Sequence, residues 1–170
     1  MSRRPRLEAI GTLPTAAIET IAYRVVPAKH KDRIVSTEGN RYFPGRYHLA
    51  GETGVLYTSL KDAVALAEVR RHTASLPLSE GLVLGKIRIR LTKVADLTKP
   101  EHLNALGIEE GHLVSGDFLP TQALGLKARA AGIQGLIVPS ATGEGNNLVV
   151  FENNLGAGCL IQVESVQPLQ

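Results

Sequence analysis

Between Leu82 and Leu91 the chain alternates cleanly. Leu84, Lys86, Arg88 and Arg90 fall on one side, and Val83, Gly85, Ile87, Ile89 and Leu91 on the other. Successive side chains of a strand point to opposite faces, so this stretch is a strand with one apolar face buried. Such a strand needs a sheet covered on one side, and the rest of the chain has to supply the cover. The basic row is open to two readings, a phosphate-binding row or a solvated outer face, and the second is expected.

The remaining elements are short. Strands are expected over Ala22–Val26, Gly54–Thr58, Leu136–Val138, Leu148–Glu152 and Cys159–Val166, with Val94–Leu97 extending the sheet. Helices are expected over Thr15–Ile21, after Ser59, over Pro100–Leu106 with a stop at Gly107, and from Pro120 until Gly132. Lys29–Tyr42, His72–Glu80 and Thr142–Asn147 are expected as loops, the last as a hairpin turn. Strands outnumber helices and do not alternate regularly with them, which gives an α+β class. With 170 residues and 44% apolar content the chain makes one domain, residues 7–170, behind a loose basic arm at residues 1–6.

Charge and cysteine content exclude several functions. Arg3, Arg4 and Arg6 account for the whole net charge of +3, and without them 16 basic and 16 acidic residues remain. The basicity belongs to a tail and not to a face, so direct nucleic-acid binding is not expected. Cys159 is the single cysteine, which rules out an internal disulfide, and its apolar neighbours point to a small core residue. No apolar run approaches a membrane span and no leader-like segment opens the chain, so a cytoplasmic location is expected. Glu101, His102, Glu109, Glu110 and His112 lack metal-ligand spacing, and no metal is expected.

Functional residues concentrate between Gly45 and Glu68. Gly45-Arg46-Tyr47-His48 is a loop, Gly54–Thr58 a strand, and Ser59 with Asp62 resembles a capping box opening a helix. Arg46, Tyr57 and Glu68 recur eleven positions apart, one on each kind of local structure. On the helix, Leu60, Ala63, Val64 and Ala67 form an apolar arc with Glu68 at its edge. That position admits a carboxylate in a cleft, or one paired with Arg70 or Arg71 on a solvated face.

Arg24 in YRVV, the GRYH segment, LYTS followed by a helix ending in ALAE, and the late VPSA together resemble the RES domain family, over roughly Ile21 to Phe151. The family's arginine, glutamate and serine correspond to Arg46, Glu68 and Ser140, with Arg41 in Gly39-Asn40-Arg41-Tyr42 as a second candidate for the loop arginine. The resemblance implies an ADP-ribosyltransferase-like fold, with two small mixed or antiparallel sheets around a cleft and helices packed outside. It implies a bacterial toxin that depletes NAD by cleaving the nicotinamide–ribose bond, by phosphorolysis or else hydrolysis. NAD would be substrate and not cofactor, and inorganic phosphate a co-substrate. The implied partner is a helix-turn-helix antitoxin of the Xre type that covers the site and through which the toxin oligomerises. Protein ADP-ribosylation and a non-catalytic partner-binding module are the alternatives.

The chemistry assigns roles within that resemblance. Nicotinamide leaves as a neutral base, so positive charge develops on the ribose, and an ionised Glu68 would stabilise it. Arg24 and Arg46 would hold the pyrophosphate or an inorganic phosphate, since a guanidinium presents a fixed fork of donors. Tyr57 would pack on nicotinamide and offer its hydroxyl. Tyr47, His48, Ser140 and Asn147 would complete the pocket.

Overall fold

The computed structural model describes residues 4–73 and 81–169. Its frame is six strands, β1 (Ala16–Pro27), β2 (Val55–Ser59), β3 (Leu82–Asp96), β4 (Gly135–Pro139), β5 (Asn146–Phe151) and β6 (Leu160–Leu169). Four α-helices accompany them: α1 (Asp62–Thr73), α2 (Pro100–Leu106), α3 (Glu110–Val114) and α4 (Leu119–Ala130). The class is α+β, as expected.

All six strands pair into one sheet, in the order β1-β2-β5-β4-β3-β6, with β1 also paired to β3. This replaces the two separate sheets expected. The reason lies in β3, which is 15 residues long. One of its edges pairs antiparallel with β1 from Leu82 to Val94, and its far end at Val94–Asp96 pairs parallel with β4. A single bridge, Tyr23 to Ser59, joins β1 to β2 and closes the ring. β6 continues the sheet from β3, and its register shifts so that Glu164 is an extra residue between Val163, opposite Ile87, and Ser165, opposite Lys86.

The alternation in β3 sorts the two faces. Val83, Ile87, Ile89 and Leu91 join Ala22, Val26, Leu56, Leu148 and Val150 in a buried inner cluster plugged by Ile34. The basic face is solvated: Arg88 pairs with Glu164 at 2.5 Å and with Glu19 at 3.7 Å, and Arg90 reaches Glu19 at 3.3 Å. The phosphate-row reading is thereby displaced. Parallel strands need a long crossover, and the segment between β3 and β4 carries α2, α3 and α4. Leu103, Leu106, Leu113, Leu124 and Ala128 of these helices cover the outer face, against Val55, Leu136, Val138, Val149 and Phe151.

Two local expectations fail. Thr15–Ile21 is not helical, because β1 begins at Ala16 and pairs along β3; the β-branched Ile18, Thr20 and Ile21 suit it to that edge. Ser59 is not a cap, because it closes β2 and spends its hydroxyl on Asn147 Oδ1 at 2.9 Å, so that α1 starts at Asp62. Of the expected arm, Met1–Arg3 lie outside the described residues, while the Arg6 N–H donates to the Leu106 carbonyl at 2.8 Å. Of the expected loop His72–Glu80, residues 74–80 lie outside the described residues, and His72 and Thr73 close α1.

Candidate active site

A cavity of about 420 Å³ opens on the outer face where β1, β2, β5 and β4 run side by side. Strand register builds its floor. Tyr23 stands opposite Ser59, Ser59 opposite Asn147, and Asn147 opposite Val138, so one row crosses four strands. Tyr57 and Val149 form the next row. The walls come from α1 through Ala65, Glu68 and Arg71, from the turn Gly45–Tyr47, and from Gly116 and Phe118 ahead of α4.

Glu68 faces this floor and is held there. Its Oε1 accepts from Ser140 Oγ at 2.5 Å and from Asn147 Nδ2 at 2.8 Å. Donor accounting fixes the surrounding chain. Ser140 has one proton and gives it to Glu68, so in the 2.7 Å contact with Thr142 Oγ1 it is Thr142 that donates. Asn147 receives the Ser59 hydroxyl on its oxygen and gives its amide to Glu68, which sets the orientation of its side chain. Residues from the β4 end and from β5 thus converge on one carboxylate oxygen of α1, with Ser59 of β2 behind Asn147, and Glu68 lies in the cleft.

Arg46 reaches the same cavity from the turn. Its Nη1 donates to the Ser115 carbonyl, and its guanidinium carbon lies 4.4 Å above the Phe118 ring. Burial lowers its pKa, and the nearby Arg71 adds to that while Tyr47 and Glu68 oppose it; a guanidinium stays charged regardless. Arg41 is exposed at the end of a 3-10 turn and is not among the residues that line the cavity, whereas Arg46 is. Arg71 was passed over in the sequence as a mere ion-pair candidate. It lines the cavity, with Nη1 donating to the Ala141 carbonyl at 2.5 Å. Its spacing of three from Glu68 on one helix face was the available clue.

Arg24 is placed differently. It is among the residues that line the cavity, but its Nη1 donates to the carbonyls of Ile34 and Ser36, each at 2.9 Å. Both protons of that nitrogen tie down the segment after β1. Tyr57 presents its ring to the cavity while its hydroxyl is used elsewhere, accepting from the Tyr47 N–H at 2.9 Å and meeting His48 Nδ1 at 2.7 Å. Tyr47 is 1% exposed and packs into the outer core. His48 is buried behind Tyr57 and is not itself among the residues that line the cavity.

The turn is pinned by its neighbours. Gly45 N–H donates to the His48 carbonyl at 3.0 Å, and Gln122 Nε2 of α4 donates to the carbonyls of Gly45 and His48. A side chain at Gly45 would lie 2.6 Å from the Tyr57 hydroxyl, and one at Gly125 would lie 2.2 Å from the Tyr47 carbonyl oxygen. Glycine at both positions lets helix, turn and strand meet. Phe118, Gln122 and Gly125 are contributions that no local pattern announces.

The RES domain pattern matches residues 12–168. This chain belongs to the RES domain family. It is 33% identical over 155 residues to a probable NAD(+) phosphorylase of Mycobacterium tuberculosis, covering 87% of this chain and 72% of that protein. It is 31% identical over 167 residues to the NAD(+) phosphorylase MbcT of Mycobacterium bovis, covering 95% of this chain and 87% of the relative. Its fold superposes on a chain of the M. tuberculosis MbcT–MbcA toxin–antitoxin complex with a TM-score of 0.82 at 25% identity, covering all of this chain and 94% of the other. In this RES domain Arg46 and Glu68 line one cavity, and the buried Ser140 holds the Glu68 carboxylate.

Proposed function

We propose that this RES domain is an NAD-depleting toxin that splits the nicotinamide–ribose bond and transfers the ADP-ribosyl group to inorganic phosphate. The observation that carries the reading is the fixed carboxylate: Glu68 is held by Ser140 and Asn147 at the floor of a cavity whose rim bears Arg46 and Arg71. Identity above 30% to named NAD(+) phosphorylases supports it.

In the proposed reaction the bond from ribose C1″ to the pyridinium nitrogen breaks, and its electron pair stays with nicotinamide, which leaves neutral. Glu68 stabilises the cationic ribose, in the manner of the carboxylates that serve glycoside cleavage. A phosphate oxygen then supplies the pair for the new C1″–O bond, giving ADP-ribose 1″-phosphate. The ring of Tyr57 packs on nicotinamide. Arg46 and Arg71 take the anions, because each spends one nitrogen on a carbonyl and keeps the rest of its fork for phosphate. Ser140 and Asn147 orient the carboxylate. Tyr47 and His48 back the pocket, and Arg24 secures its wall.

Kinship of this closed sheet to the ADP-ribosyltransferases belongs to the same proposal, as does restraint by a helix-turn-helix antitoxin in the cytoplasm, with assembly through it. Apolar side chains beside the turn and at the start of α4 give such a partner something to cover: Tyr42, Phe43 and Leu119 are 69%, 71% and 71% exposed. The test is purified protein with NAD at graded phosphate concentrations, products resolved by mass. Phosphate activation and a phosphorylated ADP-ribose support the proposal. Equal rates without phosphate, with ADP-ribose alone, make the enzyme a glycohydrolase, and a mass shift on an acceptor protein makes it a transferase.

A further inference from the structure

The hydrogen bonds behind the cavity close into a relay. His48 Nε2 lies 2.9 Å from the Phe43 carbonyl oxygen. A carbonyl only accepts, so Nε2 carries the ring proton. Nδ1 is then free to accept, and it lies 2.7 Å from the Tyr57 hydroxyl. That hydroxyl receives the Tyr47 N–H and delivers its own proton to Nδ1. Every donor in the set has one acceptor. The Tyr57 hydroxyl has thereby spent its one proton and has none left to donate to a substrate.

We infer that His48 is a positioning residue: as a neutral Nε2–H imidazole it fixes the Tyr57 hydroxyl, which holds the Tyr47 amide and with it the turn presenting Arg46 to the cavity. The inference rests on the NAD-cleaving reading of the site. Protonation of His48 would set an Nδ1–H against the phenol and deprive the Tyr57 proton of its acceptor. Burial lowers the imidazole pKa and so favours the neutral form. The groups facing His48 are the Phe43 carbonyl and Glu52, which oppose that shift, Arg129 of α4, which adds to it, and Tyr57 of β2. Arg129 and Glu52 form a 2.6 Å ion pair, so their opposite effects largely offset.

Asparagine can present its carboxamide oxygen where Nδ1 lies, and it does not titrate. His48→Asn should retain turnover within about threefold and lose the acid limb expected of the wild type, which burial of the imidazole places below the ordinary histidine range. His48→Ala removes the acceptor, and kcat should fall roughly tenfold, the equivalent of one neutral hydrogen bond, with KM for NAD little changed. Tyr57→Phe should lower kcat as well, and the double variant should add nothing to it. Nitrogen-15 NMR of the imidazole in unliganded wild type reports the tautomer without any turnover.

Equal activities for His48→Asn and His48→Ala, multiplicative losses in the double variant, or an Nδ1–H tautomer in an active enzyme would each overturn the inference. A wild type with the Nε2–H tautomer but no NAD turnover would sink the functional reading and leave the relay standing.

Discussion

Replacing Glu68 with glutamine exchanges one oxygen for an amide nitrogen at nearly constant volume. The carboxamide oxygen can take both bonds that Oε1 now accepts, from Ser140 at 2.5 Å and Asn147 at 2.8 Å. The cost to the fold is the difference between charged and neutral acceptance, about 1 kcal/mol per bond and so about 2 kcal/mol in all. The cost to the chemistry is larger. A carboxylate about 4 Å from a cationic ribose contributes about 4 kcal/mol at an effective dielectric of ~20, which is about three orders of magnitude in kcat. Nicotinamide release at saturating NAD and phosphate, followed by chromatography, gives the rate, and urea unfolding gives the stability. A Glu68→Gln protein that folds normally and keeps more than a tenth of wild-type kcat would refute the electrostatic role of this side chain.

Other perturbations follow from the same contacts. Gly125→Ala places a Cβ 2.2 Å from the Tyr47 carbonyl oxygen, so α4 and the turn must separate; a loss of ~2 kcal/mol in urea unfolding is expected, with reduced turnover. Arg129→Ala strands Glu52, whose side chain is 22% exposed, and should cost ~2 kcal/mol, less when Glu52→Gln accompanies it. Arg71→Ala should raise KM for NAD about tenfold and leave kcat within a fewfold, since the proposed reaction gives Arg71 a phosphate to bind and leaves the carboxylate in place; an unchanged KM would exclude Arg71 from binding. Because burial depresses the His48 pKa, the unfolded chain binds the proton that the folded one resists, so stability should fall as pH drops below ~6.5; His48→Asn should flatten that slope.

Much of this was legible in the residues, and the failures share a cause. Local periodicity found β3 and its buried face, the helix stopped at Gly107, and the hairpin between β4 and β5, because each depends on near neighbours. The family resemblance brought Arg46, Glu68, Ser140 and Asn147 together, and the structure joins Glu68 to the last two directly. What stayed hidden depends on distant pairing. Ala16–Ile21 becomes a strand because β3 lies beside it, and one sheet forms in place of two because β3 is long enough to reach β4. Ser59 carries every mark of a cap, yet a cross-strand asparagine claims it. Arg24 had the right residue type for phosphate, but two carbonyls ten and twelve positions away take its Nη1. Phe118 under Arg46 had no local mark at all.

β6 leaves the sheet with an outer edge that no described strand covers. A ten-residue row of this kind is a template on which identical chains can stack, and its exposed Val163 and Val166 would favour fibrils. The extra residue at Glu164 kinks the row midway, and Pro168 withholds an amide near its end. Arg88 grips Glu164 from the neighbouring strand, so flattening the kink for a second copy would first have to break that contact. The irregularity that interrupts the register of β6 thus acts as a guard against aggregation.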